Sequence, residues 1–103
     1  MSHSLCIVVH KQMTPQAIRI KTTLGKSVLS KFGEDSQFCS EPQFTLETKG
    51  KDWVVEHHPK AKNETLLNGK AVSSPTTLKN GDQLAVGRES KGIIKLPLKV
   101  RIG

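Results

Sequence analysis

The sequence predicts an all-β fold, a β-sandwich of two mainly antiparallel sheets, and three observations predict it. Short runs of Val, Ile, Leu and Thr recur between Gly, Asn and Pro turn signals, giving about ten to eleven short strands. Nowhere do apolar residues return at three- and four-residue spacing over the several turns that mark a confident helix. The hydrophobic share is 35%; it comes mainly from β-branched and leucyl side chains with Trp53, which suits a thin core between two sheets.

Taken in order, the β-type runs are Leu5 to Val9, Ala17 to Thr22, Ser27 to Phe32, Gln43 to Thr48 and Asp52 to Glu56, with Gly25, Gly33 and Gly50 between them. Ala17, Ile18 and Ile20 fit alternation at least as well as helical spacing. Thr65 to Leu67 and Lys70 to Val72 flank Asn68-Gly69, a two-residue hairpin signal because both central positions of that turn need positive φ. Asn80-Gly81 makes a second tight turn. Gln83 to Val86 follows, then Gly92 to Ile102, where Pro97 marks an edge or a bulge.

At 103 residues the chain is long enough to close one core without a metal or disulfide staple, so a single domain over 1–103 is expected. Sixteen Lys and Arg against nine Asp and Glu give a net charge of +7, which favours an anionic partner: a phosphorylated peptide, an acidic protein face or nucleic acid. Cys6 and Cys39 have neither C-x-x-C spacing nor the density of a secreted scaffold, and read as reduced thiols near the core of an intracellular protein. No run approaches the ~20 apolar residues of a membrane span. Met1 to His10 lacks the pattern of a signal peptide, so a cytoplasmic location without membrane contact is expected. Asn63-Glu64-Thr65 matches a glycosylation acceptor, which has little meaning without secretion.

Catalysis has no visible apparatus: there is no G-x-S-x-G, no known Cys motif and no carboxylate pair on a helix face, so the chain is not expected to be an enzyme. His57 and His58 adjoin at a strand end and point to opposite faces, and His3 and His10 are isolated. Neither a metal nor any other cofactor is expected.

The second half carries a more specific pattern. It reads Trp53-Val54-Val55-Glu56, then Asn63-Glu64-Thr65-Leu66-Leu67-Asn68-Gly69-Lys70, then Leu78-Lys79-Asn80-Gly81-Asp82-Gln83-Leu84-Ala85-Val86-Gly87. This resembles the C-terminal half of a forkhead-associated domain. There a strand with Trp or a bulky apolar residue precedes an N-G-T loop, a strand ending in N-G, and L-x-x-G-D-x-I-x-x-G. The first half threads onto the same plan less closely. Ser27 to Phe32 falls where the family has a strand ending in G-R, and Ser40 to Leu46 falls where it has S-R-x-H-A-x-I, with only Ser40 identical.

The resemblance implies a protein-interaction module that captures phosphothreonine peptides in a loop-built pocket, here through Lys31, Ser40, Asn63 and Thr65, with Lys26 the rival for the basic role. The pocket looks degraded relative to the family. A lysine replaces the arginine and offers a point charge instead of a planar fork. Glu41 stands where a second basic residue is usual, Gln43 replaces a buttressing histidine, and Glu64 replaces the loop glycine. Phosphate-independent docking of a partner at the same end is the alternative within this class.

Outside it, Lys49, Lys51, Lys60 and Lys62 interleave with Trp53, as an RNA-binding face would. Leu67 to Val72 with Gly81-Asp82 also resembles a small RNA-binding module of ribosomal proteins and pseudouridine synthases. That module begins with two helices, and none is evident here. A solvated strand face over a core tryptophan is the plainer reading.

Overall fold

The computed structural model describes residues 5–103; His3 lies outside them. Ten strands form two antiparallel sheets. They are β1 Cys6–Val9, β2 Gln16–Ile18, β3 Thr22–Leu24, β4 Phe44–Lys49, β5 Asp52–His57, β6 Glu64–Leu67, β7 Lys70–Ala71, β8 Thr76–Leu78, β9 Gln83–Arg88 and β10 Ile93–Ile102. The six-stranded sheet has the order β2-β1-β10-β9-β6-β7 and the four-stranded sheet the order β3-β4-β5-β8.

The alternation of side chains along a strand explains which residues meet between the sheets. Phe44 and Leu46 of β4 and Trp53 and Val55 of β5 join Val8, Leu84, Val86, Leu98 and Val100 from the other sheet in one core cluster. Trp53 is 0% exposed, and its indole Nε1 has no hydrogen-bond partner, so the ring is held by packing. Cys6 and Cys39 are free thiols, and burial pushes both up to about 11.

The expected strand over Ser27 to Phe32 is instead helical, with α1 at Lys26–Leu29 and a 3₁₀ turn at Ser30–Phe32, followed by a second 3₁₀ segment, Glu34–Phe38. Leu29 and Phe32, three residues apart, fall on one side of this coil and are both buried in the core. Alternation cannot distinguish that pattern from a strand in so short a run. The expected strand from Ala17 to Thr22 divides into the ends of β2 and β3, which belong to different sheets, with Ile20 exposed in the connection.

Pro97 produces a bulge: the β9–β10 register shifts between Lys95 and Leu98, and Leu96 has φ +53°. The strand is not an edge, since β10 lies between β1 and β9. His10 Nδ1 donates to the carbonyl of Pro97 at 2.7 Å, pinning the bulge. Asn68 and Gly69, with φ +52° and +85°, close the β6–β7 hairpin as the turn chemistry requires.

Candidate functional site

The strand directions collect two connections at one end of the sandwich. The long β3–β4 connection, residues 25–43, and the β5–β6 loop both open there, because β4 enters and β5 leaves at that end. The amide of Lys26 donates to the carbonyl of Ser40 at 3.1 Å, and that of Gln43 to the carbonyl of Leu24 at 2.8 Å. These two bonds hold the start of α1 against the 39–43 loop.

Gln43 is the strut of this end. Fully buried, it accepts the Ser40 amide through Oε1 at 2.8 Å, and through Nε2 it donates to the Asn63 carbonyl at 3.0 Å and to Thr65 Oγ1 at 3.1 Å. One neutral side chain thus braces both loops. Ser40 Oγ accepts the Lys62 amide at 2.9 Å, and Asn63 Nδ2 donates to the Phe38 carbonyl at 2.8 Å. Every bond joins segments 20 or more residues apart except the Ser40–Gln43 bond, which closes the loop on itself.

Between these braced loops lies a cavity of about 410 Å³, lined chiefly by Lys26, Ser40, Glu41, Lys60, Lys62 and Asn63. A second cavity of about 410 Å³ adjoins it, sharing Phe38 and Asn63 and rimmed by Arg88, Lys91, Ile93 and Lys95. Lys95 Nζ stands 5.2 Å from the Phe38 ring centroid, and the Arg88 guanidinium donates to the Lys62 carbonyl at 3.2 Å. Among the described residues the ion pair is Lys21–Glu47, remote from these cations, whose charges have no carboxylate partner within pairing distance.

The five residues named from the sequence separate in space. Lys26, Ser40 and Asn63 line the first cavity. Lys31 Nζ instead donates to Gln16 Oε1 at 3.1 Å and to the Pro15 carbonyl at 3.4 Å, and lies over the Phe32 ring. Thr65 is 0% exposed; its hydroxyl meets His57 Nδ1 at 2.7 Å and Gln43, inside the framework. Burial, and secondarily the neighbouring His58, lowers the His57 pKa below the usual histidine value, against a smaller opposing pull from Glu64.

The basic stretch also divides. Lys60 and Lys62 face the first cavity, whereas Lys49 and Lys51 flank the β4–β5 turn, about six strand residues or ~20 Å away along β4. Trp53 lies in the core and offers these lysines no stacking face. Arg88, Lys91 and Lys95 were not singled out from the sequence. Arg88 directly follows the Gly87 that ends the L-x-x-G-D-x-I-x-x-G-like segment, which was the available signal.

Among the described residues no three His, Cys, Asp or Glu side chains converge as a metal site would require, and no helix is long and apolar enough to cross a membrane. A rigid two-sheet framework with a basic, loop-built concavity at one end is the architecture of a sandwich-type interaction module. The sequence matches the FHA domain over residues 22–87, and the chain belongs to that family. The matched segment starts at β3, whose end is followed by Gly25-Lys26.

Solved structures agree on the fold. An FHA domain studied for phosphothreonine-dependent interactions superposes with TM-score 0.70 at 15% identity, covering 94% of this chain and 95% of that one. Full-length yeast Pml1p gives 0.69 at 14% identity over 97% and 81%. The Mycobacterium tuberculosis Rv1747 FHA-1 domain gives 0.68 at 13% identity over 97% and 99%. The FhaA FHA domain, solved in complex with the intracellular domain of Rv3910, gives 0.64 at 16% identity over 95% and 99%. No curated protein sequence matches the chain.

Proposed function

We propose that this domain captures a phosphothreonine-containing segment of a partner protein in the cavity bounded by Lys26, Ser40, Lys60, Lys62 and Asn63. The observation that carries the reading is the convergence of three lysines without carboxylate partners and a serine hydroxyl on one braced concavity. A phosphothreonine carries about −1.5 to −2 charge and three acceptor oxygens, which lysines neutralise as point charges and a hydroxyl meets as a donor. Lys26 takes the basic role. Lys31 is engaged elsewhere, and Thr65 supports the site from behind through Gln43. The adjoining cleft, lined by Phe38 and Ile93 and by the cations Arg88, Lys91 and Lys95, receives the peptide beside the phosphoresidue. The neighbour studied for phosphothreonine-dependent interactions supports the ligand class by family likeness.

The test is an amide-shift titration with phosphothreonine peptides and their unphosphorylated counterparts at ~150 mM salt, where the ~8 Å Debye length screens diffuse attraction. Phosphate-dependent shifts converging on Lys26, Ser40, Lys62 and Asn63, lost in Lys26→Ala, bear the reading out. Equal shifts with both peptides favour a second reading, phosphate-independent docking, which Ile93 and Ile94 support by being 39% and 46% exposed beside the cleft. RNA binding predicts a steep loss of affinity with salt and a dependence on Lys49 and Lys51 as strong as on Lys60 and Lys62.

A further inference from the structure

Glu41 is exposed, yet its carboxylate is turned in upon the backbone of its own binding site. The Ser27 amide donates to Glu41 Oε1 at 2.6 Å. The carboxylate also lies flush on Gly25: a Cβ at that position would stand 2.7–2.8 Å from the Glu41 Cδ and both carboxylate oxygens. Gly25 therefore admits the carboxylate by lacking a side chain. Glu41 lines the cavity together with Lys26, Lys60 and Lys62, and none of these lysines is within ion-pairing distance of its carboxylate.

We propose that Glu41 is a resident anion of the cavity, a specificity-determining residue that lowers the site's affinity for a phosphorylated side chain. This inference rests on the phosphopeptide reading above. The carboxylate is held by a backbone amide and is not ion-paired with the lysines. It offsets one of three positive charges and repels an incoming phosphate that carries up to two negative ones. A phosphopeptide binds either against that field or by displacing the carboxylate from Ser27. In both cases the cost is removed when the charge is removed, and the site strengthens without gaining a contact. The device sets a threshold: only a ligand with further contacts along the adjoining cleft holds the site at low concentration.

The experiment compares the parent domain with Glu41→Gln, which preserves shape and an acceptor for Ser27, and with Glu41→Ala, which also removes the bond. Each is titrated with the same phosphothreonine peptide library and with inorganic phosphate, and the amide spectrum away from residues 25–43 serves as the folding control. Glu41→Gln should bind the phosphopeptides about tenfold more tightly, equivalent to ~1.4 kcal/mol. Glu41→Ala should do so at least as strongly, and both gains should shrink as salt rises.

Unchanged affinity in both variants overturns the proposal while leaving phosphopeptide recognition standing. Weaker binding by Glu41→Gln also overturns it, by showing that the carboxylate receives a basic side chain of the peptide. If the parent binds no phosphopeptide and Glu41→Gln does, the resident anion is upheld and the phosphopeptide reading fails for the natural chain. If none of the three binds, both readings fall.

Discussion

The two ends of this sandwich are braced alike by short polar side chains but differ in the charge that surrounds those braces. At the end opposite the candidate site, short polar side chains tie neighbouring turns to one another, and only the Asp82–Lys79 bond closes a turn on itself. Asn68 Nδ2 donates to Asp82 Oδ1 at 3.1 Å, Asn68 Oδ1 accepts the Gln83 amide at 3.0 Å, Asp82 Oδ2 accepts the Lys79 amide at 2.7 Å, and Asn80 Oδ1 accepts the Ile102 amide at 3.1 Å. These are the Asn-Gly and Asn-Gly-Asp residues that make the family pattern legible. At the site end the bonds likewise run between distant segments, through Gln43, Ser40 and Asn63, but here cations stand around them without carboxylate partners. The difference teaches that family-defining residues and ligand-facing residues answer to separate demands. The first hold a scaffold that any member needs, while the second meet one chain's ligand.

That contrast yields predictions, beginning with the largest effect. Gln43→Ala should destabilise the domain by about 2–4 kcal/mol, because it orphans the Ser40 amide, the Asn63 carbonyl and one bond of Thr65. Urea unfolding measures that loss, and phosphopeptide affinity should fall at least tenfold with it. Asp82→Ala should cost about 1–2 kcal/mol by leaving the Lys79 amide and the Asn68 side chain without an acceptor. Phosphopeptide affinity should not change; a loss of binding here would break the separation of the two ends.

Lys26→Ala sharpens the comparison from the other side. Stability should stay within about 0.5 kcal/mol, since the side chain is exposed, while phosphopeptide affinity drops tenfold or more by calorimetry. The effect of acid is smaller and is carried at the site end by His57. The folded-state pKa of His57 is depressed, so the unfolded chain binds the proton more readily. The His57 contribution is complete above the ordinary histidine value of ~6.5 and is lost as pH falls through the depressed folded value. His57→Gln should flatten that slope in urea midpoints measured across the acid range. The smallest effects belong to Lys49→Ala and Lys51→Ala, which should move neither stability by more than about 0.5 kcal/mol nor phosphopeptide affinity.

Much of the fold was legible because strands advertise themselves locally. Alternation identified β4 and β5, and the positive φ demanded at Asn68-Gly69 placed the β6–β7 hairpin. Pro97 announced the bulge in β10. The segment from Ser27 to Phe32 was misread as a strand because one helical turn and a 3₁₀ turn are too short to display their period. Of the residues that line the first cavity, the sequence named Ser40 and Asn63, and Lys26 only as the rival of Lys31 for the basic role, a choice that spacing does not make. It turned on where that coil begins. Thr65 looked ligand-facing by loop position, whereas strand alternation carries it inward to Gln43 and His57.

By itself the sequence determined the all-β class, the turns and the basic balance of this domain, since each depends on residues adjacent in the chain or on composition alone. The tertiary structure decided which lysines share a cavity, that Gln43 braces two loops, and that the Glu41 carboxylate lies on Gly25. Those facts depend on the packing of segments 14 to 22 residues apart, whose mutual placement is set by the closure of the two sheets and not by any local pattern.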